Sequence, residues 1–281
     1  MNNEILYIKN LYLCRMKFYM NRHIIYICML ILVGFVCGCS ETSRMNGIRF
    51  NRINEAVRMN TAELKKVNDD DTFSNSEQVF DVSVELDSMQ SNGQTDSLAC
   101  VLINTYIVNT LLGVHTVHAV SDAISVYIAE KRAEFQSDEY SITCYDHITG
   151  VADYGLEGII NYTFTEDYFG GGAHPTQMVT IKRFNAQTGT PIELWDVFAD
   201  SCATSLKHIL TDKLMQQKDV KTMDELRELG YLEMVDMFVP TNFLMKRDSL
   251  SFFFNQYDIA PYALGQTILT FSYEELKPYM K

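Results

Sequence analysis

Three groups of residues have the types and spacing to do chemistry. The first is Tyr168-Phe169-Gly170-Gly171-Gly172-Ala173-His174-Pro175, three glycines running into a histidine and a proline between two strand-like segments. Glycines that lead from a strand into a helix cradle anions on the helix N-terminus. Here the following "TQMVTIKRF" alternates like a strand, so no helix dipole is at hand. Glycine also lets the backbone take φ > 0 or approach a neighbour closely, and Pro175 fixes φ and removes a donor. The residues alone favour a structural bend over an active-site loop, with His174 the one side chain able to bind or transfer protons. The second group is His115-x-x-His118. At i, i+3 on a helix both rings can face one metal, but the pair sits at a junction after Gly113 with no third ligand suggested, which fits ordinary loop or helix-start histidines. The third is Asp146 and Asp153 flanking His147. That set can hold a cation; a turn rich in Asp and His accounts for it more simply. The run Asp69-Asp70-Asp71 reads as a solvated loop.

No G-x-S-x-G, H-E-x-x-H, P-loop or dinucleotide fingerprint occurs. We expect no catalytic residue, no metal and no cofactor. The candidate binding residues are Gly170, Gly171, Gly172, His174 and Pro175.

The N-terminus carries a different kind of chemistry. Ile24 to Val36, "IIYICMLILVGFV", is an apolar block of 13 residues behind Lys17, Arg22 and His23. A bilayer takes about 20 residues to span, so the block fits the h-region of an export signal. It ends in Val36-Cys37-Gly38-Cys39, and small residues before a cysteine at that place look like a bacterial lipobox. Cleavage before Cys39 would leave Cys39 to carry the lipid, palmitate included. Met16 or Met20 makes a better start for such a signal than Met1. Ser40 after the lipidated cysteine, where Asp would argue for inner-membrane retention, gives the expectation of an outer-membrane lipoprotein, its periplasmic or surface face left open.

Removing residues 1–38 takes four of 23 basic and one of 36 acidic residues, leaving 19 and 35 and a net charge of −16. Such a surface repels nucleic acid and anionic headgroups and attracts cationic partners, although plain solubility needs no partner. Cys100, Cys144 and Cys202 form no C-x-x-C pair, against zinc ribbons and thioredoxin-type sites. They allow one disulfide with one thiol over, or buried thiols.

Behind these residues stand the elements that must position them. The 47% hydrophobic content supports a real core. Residues 39–76 are polar and read as a tether in which Ile48 to Met59 can hold a short ordered segment. In "VFDVSVEL", Phe80, Val82, Val84 and Leu86 alternate with Asp81, Ser83 and Glu85, a half-buried strand. A helix follows from about Leu98 to Leu112, its inward face read as Leu98, Val101, Leu102, Tyr106, Leu111 and Leu112, and a second from about His118 to Phe135 with Val120, Ile124, Tyr127 and Ile128 inward. "YSITCYDH" and "GLEGIINYTFTEDYF" read as strands before the glycines. After "TQMVTIKRFN" comes a turn at Ala186–Gly189. Asp200 or Ser201 opens a helix through Leu214 with Leu206, Ile209 and Leu210 inward. Thr222-x-x-Glu225 and Ser272-x-x-Glu275 are capping boxes. "TNFLMKRDSLSFFFN" is a hairpin turning near Arg247-Asp248, and "QTILTFS" a last strand. The order implies an α+β fold with a mostly antiparallel sheet. The expected organisation is a signal with lipobox (1–38), the tether (39–76), and two consecutive α+β domains (77–168 and 169–281).

Three separated strings carry a family resemblance. Gly171-Gly172-Ala173-His174, then Asn185 with Thr188-Gly189 and Leu194 with Asp196 and Phe198, then Tyr257-x-x-Ala260-Pro261-Tyr262 with Gly265 resemble the domain at the C-terminus of lysozyme-sensing anti-sigma factors, which also accompanies peptidoglycan deacetylases. The match runs from about Gly170 to Met280. Val79 to Thr165 is similar in layout to the domain that usually precedes it, mainly through the helix around Asn104 and Asn109. In the anti-sigma factors this region binds lysozyme; in the deacetylases a separate metal-dependent domain does the chemistry, and its Asp pair and His-x-x-x-His ligands do not occur here. The resemblance thus implies two accessory domains on a lipid anchor: a non-catalytic, monomeric envelope protein binding a cell-wall glycan or a basic exported protein such as lysozyme, and no nucleic acid. The alternatives are a peptidoglycan deacetylase or hydrolase using His174 with Asp153 or Glu166, and a structural or assembly lipoprotein of the envelope.

Overall fold

The computed structural model describes residues 47–60, 79–92, 97–137 and 144–281. The segments expected to be an export signal (1–38) and a lipidation site (Cys39), and the acidic run at 69–71, lie outside the described residues. Met45–Lys281 forms one compact unit.

Five strands make the first sheet: β1 (Ile48–Asn60), β2 (Val79–Ser91), β3 (Cys144–Tyr154), β4 (Ile159–Phe169) and β5 (Thr176–Asn185), in that spatial order. β2 and β3 run parallel, and the other three pairs antiparallel. A parallel pair needs a long crossover, supplied by α1 (Ser97–Tyr106), which opens into a π-helical turn at Ile107–Leu111, and α2 (Val120–Ser137). These helices cover one face of the sheet. Phe80, Val82, Val84, Leu86, Ile148 and Phe164 from the strands share a core with Ile103, Ile107, Ile124, Ile128 and Phe135 from the helices. The register sends Asp81, Ser83 and Glu85, Tyr145, His147 and Thr149, and Thr163, Thr165 and Asp167 to the opposite face, where they stay half-exposed.

The second half holds α3 (Leu194–Val197), α4 (Ala203–Gln217), α5 (Met223–Glu228), the antiparallel sheet β6 (Phe243–Met245), β7 (Ser249–Phe254) and β8 (Thr267–Ser272), and α6 (Tyr273–Leu276). Leu206, Leu210 and Leu214 of α4 enter a core with Phe243, Phe252, Phe254 and Leu269. Both capping boxes form, Thr222 with Glu225 and Ser272 with Glu275. The fold is α+β with a mostly antiparallel main sheet, as the order of elements implied.

Four details differ from the sequence reading. The tether contains a full strand: Ile48–Asn60 is an edge strand, paired with β2 over its whole length, and Arg52 pins it through Asp87 (2.6 Å) and Glu85 (2.6 Å). The boundary expected between residues 168 and 169 falls between two paired strands, since β4 and β5 zip from Tyr168↔Thr176 to Ile159↔Asn185; the two cores divide instead between Ala186 and Leu194. The stripe Leu98, Val101 and Leu102 of α1 faces out at 67%, 58% and 42% exposure, and the small side Ala99 and Cys100 goes in with Ile103. The turn expected around His147 is the middle of β3, where Asp146 points to the helices, His147 to the open face, and Asp153 lies near the far end.

Candidate functional site

Gly170 to Pro175 is the connection between β4 and β5. It is the bend that glycine chemistry suggested: Gly171 takes φ 92°, a conformation that carries little cost without a Cβ. The bend swings His174 onto a loop of the second half. Its ring stacks on Tyr262 at 3.6 Å between centroids and 18° between planes. Nδ1 lies 3.1 Å from the Pro175 carbonyl oxygen, which can only accept, so Nδ1 carries the proton. In the neutral ring Nε2 then accepts from the Tyr257 hydroxyl at 3.0 Å. Tyr257 is held at φ 70°, where a non-glycine residue stores about 1–2 kcal/mol of strain. Asn255 and Asp258 frame that turn, with Asp258 accepting from the Asn255 N–H at 2.6 Å. Strain of this kind persists where the surroundings over-determine it, and it concentrates at functional sites.

Beyond Tyr257 the surface is apolar and open. Tyr257 (61% exposed) lines a cleft of ≈ 230 Å³ together with Gly230, Met234 (90% exposed), Val235, Ile259 and Pro261. Glu233 stands on the same rim. An exposed methionine beside tyrosine, proline and valine suits an adaptable contact surface.

The pairing of His174 with Asp153 or Glu166 that hydrolysis would call on is not assembled. Asp153 accepts from Lys246 at 2.8 Å and from Asn161 at 2.9 Å. Glu166 belongs to the helix-facing side of β4, where burial, then the neighbouring Asp146, raises its pKa, with Lys131 opposing. His115 and His118 are exposed in the segment between α1 and α2, and among the described residues no group of three His, Cys, Asp or Glu side chains converges to hold a metal ion. Asp146 is buried, accepting from Tyr127 at 2.7 Å with Lys131 at 3.7 Å. Cys100, Cys144 and Cys202 stand as thiols, and burial pushes Cys144 up to about 11, away from nucleophile chemistry.

The remaining motif residues build the joint between the halves. Asn185 accepts from the Gln187 and Thr188 N–H groups in its own turn. Gly189 takes φ 72° and lies so close to α1 that a Cβ there would sit 2.7 Å from the Ala99 carbonyl oxygen. Asp196 accepts from the Glu193 N–H at 2.8 Å to cap α3. Leu194 and Phe198 are core. Sequence reasoning missed the centre of this joint, Arg183, which is fully buried. Its guanidinium lies 3.5 Å over the Phe243 ring and donates to the carbonyls of Ile192, Thr241 and Phe243 at 2.9–3.2 Å. Burial pulls its pKa down to about 10, with Glu193 opposing, so it stays a cation at neutral pH. The only sequence signal was a charged residue at an inward-facing position of β5. Asn104 was singled out with its helix; it bonds both backbone groups of Met89, at 2.8 and 2.9 Å.

Residues 195–274 match a family model described as a protein of unknown function, DUF3298. The match takes in Tyr257 and Tyr262 and stops short of His174. A crystal structure of a DUF3298 family member from Bacteroides fragilis NCTC 9343 is similar with a TM-score of 0.67 and 19% identity, covering 84% of this chain and 95% of that one. A DUF3298 family protein from Pseudomonas aeruginosa PAO1 is similar with a TM-score of 0.54 and 10% identity, covering 83% and 95%. At these identities the likeness is one of fold. No curated protein matches the chain.

Proposed function

We propose that this chain is a non-catalytic, lipid-anchored protein of the bacterial cell envelope, held in the outer membrane through Cys39, that binds a cell-wall glycan or a basic exported protein such as lysozyme. The observation that carries the binding part is the cluster of His174, Tyr257 and Tyr262: three rings from two distant segments, assembled at the surface on a strained backbone, with Tyr257 lining an apolar cleft. Nothing in the core requires them there, since Tyr257 is 61% exposed. Two of the three strings that carry the resemblance to lysozyme-sensing domains, Gly171–His174 and Tyr257–Tyr262, meet in this one place. The net charge of −13 on the whole chain adds electrostatic attraction for a basic partner, an attraction that salt would screen.

Calorimetric titration with lysozyme and with soluble cell-wall fragments at low ionic strength tests the reading. Binding to at least one of them, lost in His174→Ala and Tyr257→Ala with the melting temperature kept, supports it. Silence with both ligands in the parent chain overturns it. For the anchor, metabolic labelling with a palmitate analogue should mark the parent chain and leave Cys39→Ala unlabelled.

A further inference from the structure

We propose that the binding surface continues from His174 onto the open face of the main sheet, where His147, Tyr145 and Phe169 extend an aromatic ribbon flanked by Asp81 and Asp167, and that this ribbon takes an uncharged, hydroxyl-rich glycan chain. The proposal rests on the binding reading above and names its ligand class; it does not depend on the lipid anchor.

The ribbon can be followed ring by ring. His147 and Tyr145 stack at 4.9 Å and 23°. Tyr145 stands opposite Phe169 across the β3–β4 ladder, 5.9 Å between centroids. Phe169 is the last residue of β4, and the glycine bend carries the chain from there to His174 on Tyr262, with Tyr257 at 6.2 Å from the histidine and 6.0 Å from Tyr262. Burial, then the Asp167 carboxylate, then the Tyr262 phenol raise the Tyr145 phenol above its ordinary value. All six rings are half-buried or exposed.

A sheet face turned to water ordinarily carries small polar residues, and Ser83, Thr149, Thr163 and Thr165 obey that rule here. Rings between them serve no core, because the helices and the first hydrophobic core lie on the other side of the sheet. A sugar ring supplies what such a face lacks. Its C–H faces lie against aromatic rings, and its hydroxyl and amide groups need acceptors. Asp81 is 3.6 Å from His147, and Asp167 accepts from the Tyr145 hydroxyl at 3.4 Å; each carboxylate keeps further lone pairs for a ligand. An acidic polymer would meet these two carboxylates and the chain's net charge of −13. The hydroxyls of Ser83, Thr149 and Thr165 match neutral donors and acceptors better than ammonium groups.

The test is calorimetry on the full chain with N-acetylglucosamine oligomers of increasing length, an oligogalacturonate as the acidic control and lysozyme as the basic-protein arm. Affinity should rise with oligomer length and change little with salt, and the oligogalacturonate should stay unbound. Tyr145→Ala should weaken the longest oligomer by roughly tenfold, or about 1.4 kcal/mol, and shorter oligomers less. His147→Ala and Asp167→Asn, both on half-exposed side chains, should weaken it as well and keep the test decisive if Tyr145→Ala folds poorly. If oligomers bind without any gain from length, or if only Tyr257→Ala and Tyr262→Ala weaken them, the sheet extension fails while the His174-centred reading stands. If lysozyme alone binds, with a steep salt dependence, the glycan assignment fails and the binding reading survives. If neither binds, both fall.

Discussion

The chain holds two polar clusters built from the same strands and loops, and they differ in what they leave unspent. At the joint, Arg183 and the asparagines 161, 242 and 255 are buried or half-buried, and their donors end on named backbone groups. Asn161 donates to and accepts from Met245; Asn255 does the same for Val179, and Asn242 accepts from the Ile181 N–H while donating to the Val179 carbonyl. At the bend, His174, Tyr257 and Tyr262 bond mainly to one another, stay open to solvent, and rest on a strained backbone. Buried polar groups with every bond made define a unique packing; exposed aromatics with spare capacity are how surfaces recognise partners. Residues of the strings that resemble a known family fall both at the bend and, as Asn185, Gly189 and Asp196, around the joint, so a motif by itself does not separate architecture from recognition. The hydrogen-bond inventory does.

This contrast can be broken most directly at Arg183. Arg183→Ala leaves the carbonyls of Ile192, Thr241 and Phe243 without that donor, at about 1–3 kcal/mol for each that stays unsatisfied. We expect urea unfolding to show a loss of about 3 kcal/mol or more, or no soluble protein; a loss under about 1 kcal/mol would mean the joint is not held by this residue. Gly189→Val comes next. It puts a side chain at φ 72° against the Ala99 backbone, and should cost about 2 kcal/mol, read as a lowered melting temperature and faster amide exchange in α1. Smaller than the usual Tyr→Gly loss is the effect of Tyr257→Gly. Relief of positive-φ strain offsets the entropy glycine adds to the unfolded chain. Stability should hold within about 1 kcal/mol while ligand binding disappears, and a clear destabilisation would place Tyr257 with the architecture instead. The smallest effect is at the α5 cap. The Lys221 and Thr222 N–H groups hold Glu225 below its ordinary value. Its contribution is therefore present above the usual carboxylate range and lost as pH falls through the depressed value. Amide protection of α5 should decline in acid in the parent chain and stay flat in Glu225→Gln, with the bend indifferent to both.

Much of this architecture was legible because alternation and caps are local. "VFDVSVEL" showed β2, the two S/T-x-x-E boxes showed α5 and α6, and the strand-like "TQMVTIKRFN" showed that no helix follows the glycines. What escaped was set by distant partners. Edge strand β1 spends half its residues on solvent, so Ile48 to Met59 read only as a short ordered segment of a polar tether, its full strand pairing unseen. The inward face of α1 was misjudged because the turn at Gly189 approaches too closely for large residues, which puts Ala99 and Cys100 inside and Leu98, Val101 and Leu102 outside. At the candidate site His174 was visible, but its partners Tyr257 and Tyr262 lie more than eighty residues away. Arg183 had one faint local signal, a charge at an inward-facing position of β5.

The asparagines that bond to β5 from the second half also bear on how safely the chain folds. A terminal strand with bare N–H and C=O groups invites another chain to pair with it and seed an aggregate. On β5 the outward groups of Val179 and the Ile181 N–H are already engaged by the amides of Asn242 and Asn255, which stand in for the next strand without being one. The sheet is thus terminated by side chains that reach their places only once the second half has folded. A chain interrupted before that point presents β5 as a sticky edge, which makes the order of folding a matter of solubility.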